Sequence, residues 1–126
     1  MDPDTIRDLF ASLGPIRTRR MFGGQGVYSG ELMFALEIDG ELFLKTDDIT
    51  VPAFRSAGSR PFVYERDGRA TTMSYWRLPD EALDDPDEAA RWGCLGLEAA
   101  KRAATRQVKR AKQRSEVRPS KAAPRR

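Results

Sequence analysis

Two Asp-Gly pairs, Asp39-Gly40 and Asp67-Gly68, each stand between stretches in which apolar and polar residues alternate. The two-residue turn that joins antiparallel strands needs positive φ at both central positions, which Asp and Gly tolerate well. Each pair therefore predicts a hairpin: Glu31 to Ile38 with Glu41 to Thr46, and Pro61 to Glu65 with Ala70 to Tyr75. Upstream, Ile16 to Phe22 keeps a period of two and ends at Gly23-Gly24, and Val27-Tyr28 leads to a turn signal at Ser29-Gly30. These connections are too short for parallel crossovers, so the sheet is antiparallel.

Helices are predicted around the strands. Asp2 caps and Pro3 opens a helix over residues 3–13, with Ile6, Leu9, Phe10 and Leu13 on one stripe and Gly14-Pro15 as its stop. Thr50 to Ala57 forms a short helix capped by Thr50 and ended by Gly58. Asp85-Pro86-Asp87-Glu88 starts a last helix that runs through at least residue 104. The order is α-β(3-4)-α-β2-α. It predicts an α+β fold, an antiparallel sheet of about five to six strands packed by helices. The interior positions are Phe22, Leu32, Phe34, Leu36, Leu42, Leu44, Phe62, Tyr64 and Met73, with Trp76 and Trp92 in the core or at its edge.

Charge divides the chain. Residues 1–100 hold 11 Lys and Arg against 18 Asp and Glu, whereas residues 101–126 hold 11 against Glu116 alone. The formal net charge of +3 thus hides an acidic domain, residues 1–105, and a basic segment, residues 106–126. Beyond Arg106 the Lys and Arg residues are expected all around the helix wheel, so the helix should leave the domain near residue 105 and fray. Ser115 to Arg126, with Pro119 and Pro124, is expected to be disordered.

Composition excludes several chemistries. The chain has no histidine and a single cysteine, Cys94, which removes Ser-His and Cys-His nucleophile pairs, His-ligated metals and an internal disulfide. No apolar run is long enough to cross a bilayer. The acidic start, Met1-Asp2-Pro3-Asp4, is unlike a signal or transit peptide. A cytoplasmic protein without catalytic residues, metal or cofactor is expected.

The candidate contact residues are cations. Arg17, Arg19 and Arg20 suggest an anion patch, or an arginine anchored to Asp47 or Asp48 with the others solvated. Gly23-Gly24-Gln25-Gly26 precedes a strand rather than a helix, so it reads as a bend or bulge and not as a phosphate loop. Lys45, with Tyr64, Ser74 and Tyr75, suggests a polar pocket beside the sheet. Asp84, Asp85, Asp87 and Glu88 suit helix capping better than a cation. Cys94 is expected as a small buried hydrophobe. Lys101, Arg102, Arg106, Lys109, Arg110, Lys112 and Arg114 supply a polyanion tether that needs no defined geometry.

Several stretches together carry a resemblance. Arg19 through Tyr28, Leu42-Phe43-Leu44-Lys45 before Asp47-Asp48, Pro61 to Glu65, and Met73-Ser74-Tyr75-Trp76 resemble the N-terminal domain of the TfoX/Sxy family in order. So do Trp92 and the Ala99-Ala100 and Ala103-Ala104 pairs, and the likeness covers roughly residues 4–105. It implies a bacterial cytoplasmic protein with a small α+β domain like that of secretion chaperones. It also implies kinship with two-domain regulators of natural competence, thought to act with the cyclic AMP receptor protein at promoters. A basic tail is expected here in place of their C-terminal domain.

The expected function is a non-enzymatic interaction module in transcriptional or competence regulation. The acidic domain would meet a protein partner from the transcription machinery or its regulators, and Arg19, Arg20, Lys45 and the tail cations would contact nucleic acid or anions. The alternative is an anionic small molecule held, or turned over, by Arg20 and Lys45. A third reading is a homodimer through the sheet face or an edge strand.

Overall fold

The structure, a computed structural model, describes residues 1–21 and 23–122, with side chains described through Gln113. The chain forms α1 (Pro3–Leu9), β1 (Arg17–Met21), β2 (Gly24–Ser29), β3 (Leu32–Ile38), β4 (Glu41–Lys45), α2 (Val51–Ser56), β5 (Pro61–Arg66), β6 (Arg69–Arg77) and α3 (Pro86–Ala122). Six strands make one open antiparallel sheet in the order β1-β2-β3-β4-β6-β5. The expected α+β architecture is the one observed.

Both Asp-Gly pairs form their turns, with φ of 51° and 84° at Asp39 and Gly40 and 53° and 76° at Asp67 and Gly68. The glycine-rich stretch joins β1 to β2 and then enters β2 as strand, with Gly24 opposite Met21. A register shift between Val27 and Tyr28 supplies the bulge one residue past that stretch. The first helix is shorter than its apolar stripe predicts: α1 stops at Leu9, and residues Ala11–Leu13 tighten into a 3-10 turn that still places Leu13 against the core.

All three helices contribute to a core on one face of the sheet. Ile6 and Phe10 of α1, Phe54 of α2 and Trp92 of α3 pack with Val27, Phe34, Leu42, Leu44 and Leu78. Trp92 is buried and its ring lies 4.8 Å from that of Phe54, while Trp76 packs half-buried at the core edge. Small residues bring α3 close to the strands. A Cβ on Gly96 would stand 3.0 Å from the Phe34 carbonyl oxygen and 3.3 Å from the Leu44 Cβ.

The opposite face holds a smaller cluster of Leu36, Phe43 and Tyr75, flanked by Met21, Met33, Ile38 and Phe62. Two interior expectations are corrected here. Tyr64 and Met73 are exposed, 36% and 37%, because β6 pairs with β4 only over residues 75–77, so the rest of the hairpin runs beyond the sheet. Leu32 and Phe62 are half-buried, and Phe22 lies outside the described residues. Cys94 is also corrected. It is exposed, since two residues on from Trp92 is about 200° around a helix.

The last helix does not fray where its apolar face ends. It stays helical through Ala122, 37 residues in all and about 55 Å long, although every residue from Thr105 to Gln113 is exposed. Ala, Lys, Arg and Gln are strong helix formers and carry the backbone without tertiary support. From Thr105 the chain is exposed and continues as helix. Residues 123–126 of the expected disordered stretch lie outside the described residues.

Candidate functional site

Lys45 closes β4 opposite Tyr75. Its Nζ donates a 2.7 Å hydrogen bond to Ser74 Oγ and lies 5.2 Å from the centre of the Tyr75 ring. Burial lowers the pKa of this amine, and the charge of Arg106 on α3 pushes it the same way against the opposing pull of Asp47. Two cations thus feel each other's charge at the end of the sheet. Burial also raises the Tyr75 phenol to about 12, so it stays a neutral donor there. Of the predicted pocket, Lys45, Ser74 and Tyr75 come together. Tyr64 pairs with Thr71, about 13 Å farther along the strand.

Asp47 follows immediately. Its Oδ2 accepts from Arg102 Nε at 2.6 Å and its Oδ1 from Arg102 Nη2 at 3.1 Å. The guanidinium is the main cause of a carboxyl pKa below the usual value, aided by the N–H groups of Thr50 and Ile49. The arginine that anchors Asp47 is therefore Arg102, not one from β1. Thr50 caps differently from expectation: its hydroxyl accepts from the Asp47 N–H instead of bonding into α2. At the other end of α3, Asp85 Oδ1 accepts from the N–H groups of Asp87 and Glu88, a capping role.

The β1 arginines sit elsewhere. Arg19 and Arg20 are exposed, and Arg17 is engaged with the Gly30 carbonyl and the Tyr28 ring. With β2 and β3 between β1 and β4, Arg20 and Lys45 are separated by about 14 Å across the sheet alone. No single small anion bridges them, which corrects that form of the alternative. Arg20 instead borders a cavity of about 1080 Å³ with Thr18, Met1, Gln25 and Glu37.

Gln25 and Glu37 do not stand out in the sequence. Both are buried, and Gln25 Nε2 donates to Glu37 Oε1 at 2.9 Å. Burial works to raise the Glu37 pKa. Hydrogen bonds from the Gly40 N–H, from Gln25 and from the Met1 amino group overcome it and hold the carboxylate low. Only the β2–β3 register, which sets Gln25 opposite Glu37, reveals this pair.

The C-terminal cations are ordered by α3. At 100° per residue, Trp92, Leu95, Gly96, Ala99 and Ala103 share one sector with Arg106 and Arg110. The stripe that faces the core turns basic where the helix becomes exposed, from Thr105 onward. Across residues 101–113, Lys101, Arg102, Arg106, Lys109, Arg110 and Lys112 occupy one half of the wheel. Ala103, Ala104, Gln107, Val108 and Ala111 occupy the other. The cations are therefore not spread all around over this stretch. The side chain of Arg114 lies outside the described residues.

The TfoX N-terminal domain family matches residues 8–100. The chain belongs to this family. It is 26% identical over 94 residues to Protein Sxy of Escherichia coli (strain K12), an alignment that covers 75% of this chain and 45% of Sxy. The chain thus spans about half the length of that relative. The basic half of α3 falls after the family match. Among the described residues no helix is long and apolar enough to cross a membrane, and no group of three or more His, Cys, Asp or Glu is placed to hold a metal ion.

Proposed function

We propose that this chain is a non-enzymatic regulatory module of the TfoX type, working in competence or transcriptional regulation. Its acidic domain meets a protein partner, and the basic half of α3, with Lys45, holds nucleic acid. One observation carries the nucleic-acid reading. The core-facing stripe of α3 continues past the sheet as Arg106 and Arg110, with the Arg106 charge near enough to act on Lys45, and among the described residues none of the three has an ion-pair partner. Like charges placed together raise the local potential and favour a polyanion. The acidic side chains at the start of α3 oppose such binding at the far end, which restricts it to the C-terminal half.

The test is fluorescence anisotropy of a labelled DNA duplex with the full chain and with R106A/K109A/R110A/K112A, across a range of salt. Each cation that no longer meets a phosphate should reduce the slope of log K against log salt by about 0.9. An unchanged slope would refute the role of α3.

A further inference from the structure

The outer part of the β5–β6 hairpin stands away from the domain. Beyond Tyr75, β6 pairs only with β5, and every residue from Val63 to Ser74 is exposed. From Ser74 to Arg69 the ribbon reaches about 20 Å. It projects past the Lys45 end of β4, the same end from which the basic half of α3 departs.

At the tip, Arg66 and Arg69 pair directly across the two strands, on either side of the Asp67-Gly68 turn. Tyr64 and Thr71 are the next pair on that face, and these four side chains with Asp67 line a recess of about 530 Å³. Glu65 alternates to the other face, and among the described residues neither Arg66 nor Arg69 has an ion-pair partner. Like charges directly opposite on a ribbon destabilise it, and a ribbon of two strands alone is marginal in water. An arrangement that opposes stability points to a ligand that neutralises it.

We propose that the tip of the β5–β6 ribbon is a second phosphate-contacting site, in which Arg66 and Arg69 bind the backbone of duplex DNA. The proposal rests on the nucleic-acid reading of α3 given above. Duplex DNA fits better than an acidic protein for two reasons. Guanidinium groups recognise phosphate oxygens through paired N–H donors, and the B-form major groove admits a two-stranded ribbon. The Thr71 hydroxyl adds a neutral donor on the same face. The cations of the basic half of α3 leave the same end of the sheet, so both elements can act on one polyanion.

The experiment compares the full chain with R66A/R69A, R66K/R69K and K109A/R110A/K112A, by anisotropy on labelled duplex DNA across salt, alongside thermal melting. R66A/R69A is expected to lose about 2 from the salt slope while melting no lower than the parent, because the substitution removes a repulsive pair. R66K/R69K should retain the slope. A parent-like slope in R66A/R69A, with a reduced slope in the α3 variant, overturns the ribbon site and leaves the α3 reading standing. Absence of DNA binding by the full chain overturns both. Weaker binding with a lower melting temperature also overturns the ribbon site, since the arginines would then act through the fold. If R66A/R69A loses binding to polyglutamate but not to DNA, the site belongs to an acidic protein partner and the DNA assignment fails.

Discussion

Arg102, on the last turn of α3 that touches the domain, holds Asp47 through two hydrogen bonds across 55 residues of sequence. The Asp47 side chain is 10% exposed and that of Arg102 32%, so the pair is only partly screened by solvent. It fixes the point at which α3 parts from the sheet, and therefore the direction taken by the basic half of the helix.

Removing the arginine leaves a nearly buried carboxylate with only the Ile49 and Thr50 N–H groups and a long contact from the Thr50 hydroxyl. R102A should cost about 1–3 kcal/mol and lower the melting temperature, with R102K recovering part of the loss. A melting temperature equal to the parent's would show that the pair contributes nothing.

Acid should destabilise the domain through the same group. The Asp47, Glu37 and Glu41 carboxyls all have pKa values below their ordinary 3.8 to 4.5, so the unfolded chain binds more protons than the folded one as pH falls. Their contribution is complete above the ordinary carboxylate range and disappears as pH drops through it toward the folded values. Urea titrations between neutral pH and about pH 3 should show falling stability, with a shallower dependence in D47N. Parallel curves for D47N and the parent would remove Asp47 from this account.

The close approach of α3 to the sheet depends on Gly96. Alanine would gain about 1 kcal/mol in helix propensity, but its Cβ meets the Phe34 carbonyl at 3.0 Å, and overpacking costs about 1–3 kcal/mol. G96A should therefore melt lower. G93A, whose Cβ meets the movable Leu13 Cδ1 at 2.8 Å and the Phe10 ring at 3.1 Å, should lose less. The reverse order would place the tight contact elsewhere.

Cys94 should react with a thiol reagent in the folded protein without prior unfolding, because it is exposed on α3. Strong protection that is lifted only by denaturant would contradict its placement.

How much is legible in the sequence follows the range of each interaction. Asp39-Gly40 and Asp67-Gly68 dictate their turns through their own backbone preferences, and Asp85-Pro86 starts α3 for the same local reason. Hairpins, helix order and the division of charge are therefore present in the sequence. Periodicity also assigns Phe34, Leu42 and Leu44 to an inner face. It cannot say that β6 outruns β4, so Tyr64 and Met73 read as interior although both are exposed. Partner choice across long separations is equally hidden. Arg102 reads as one cation among eleven, and Gln25 as part of a glycine-rich turn, until the sheet register brings Glu37 opposite it and the helix brings Asp47 within reach. A side chain's preference is local and travels with the sequence. Its neighbour, its burial and the direction in which its charge points are set only when distant segments pack.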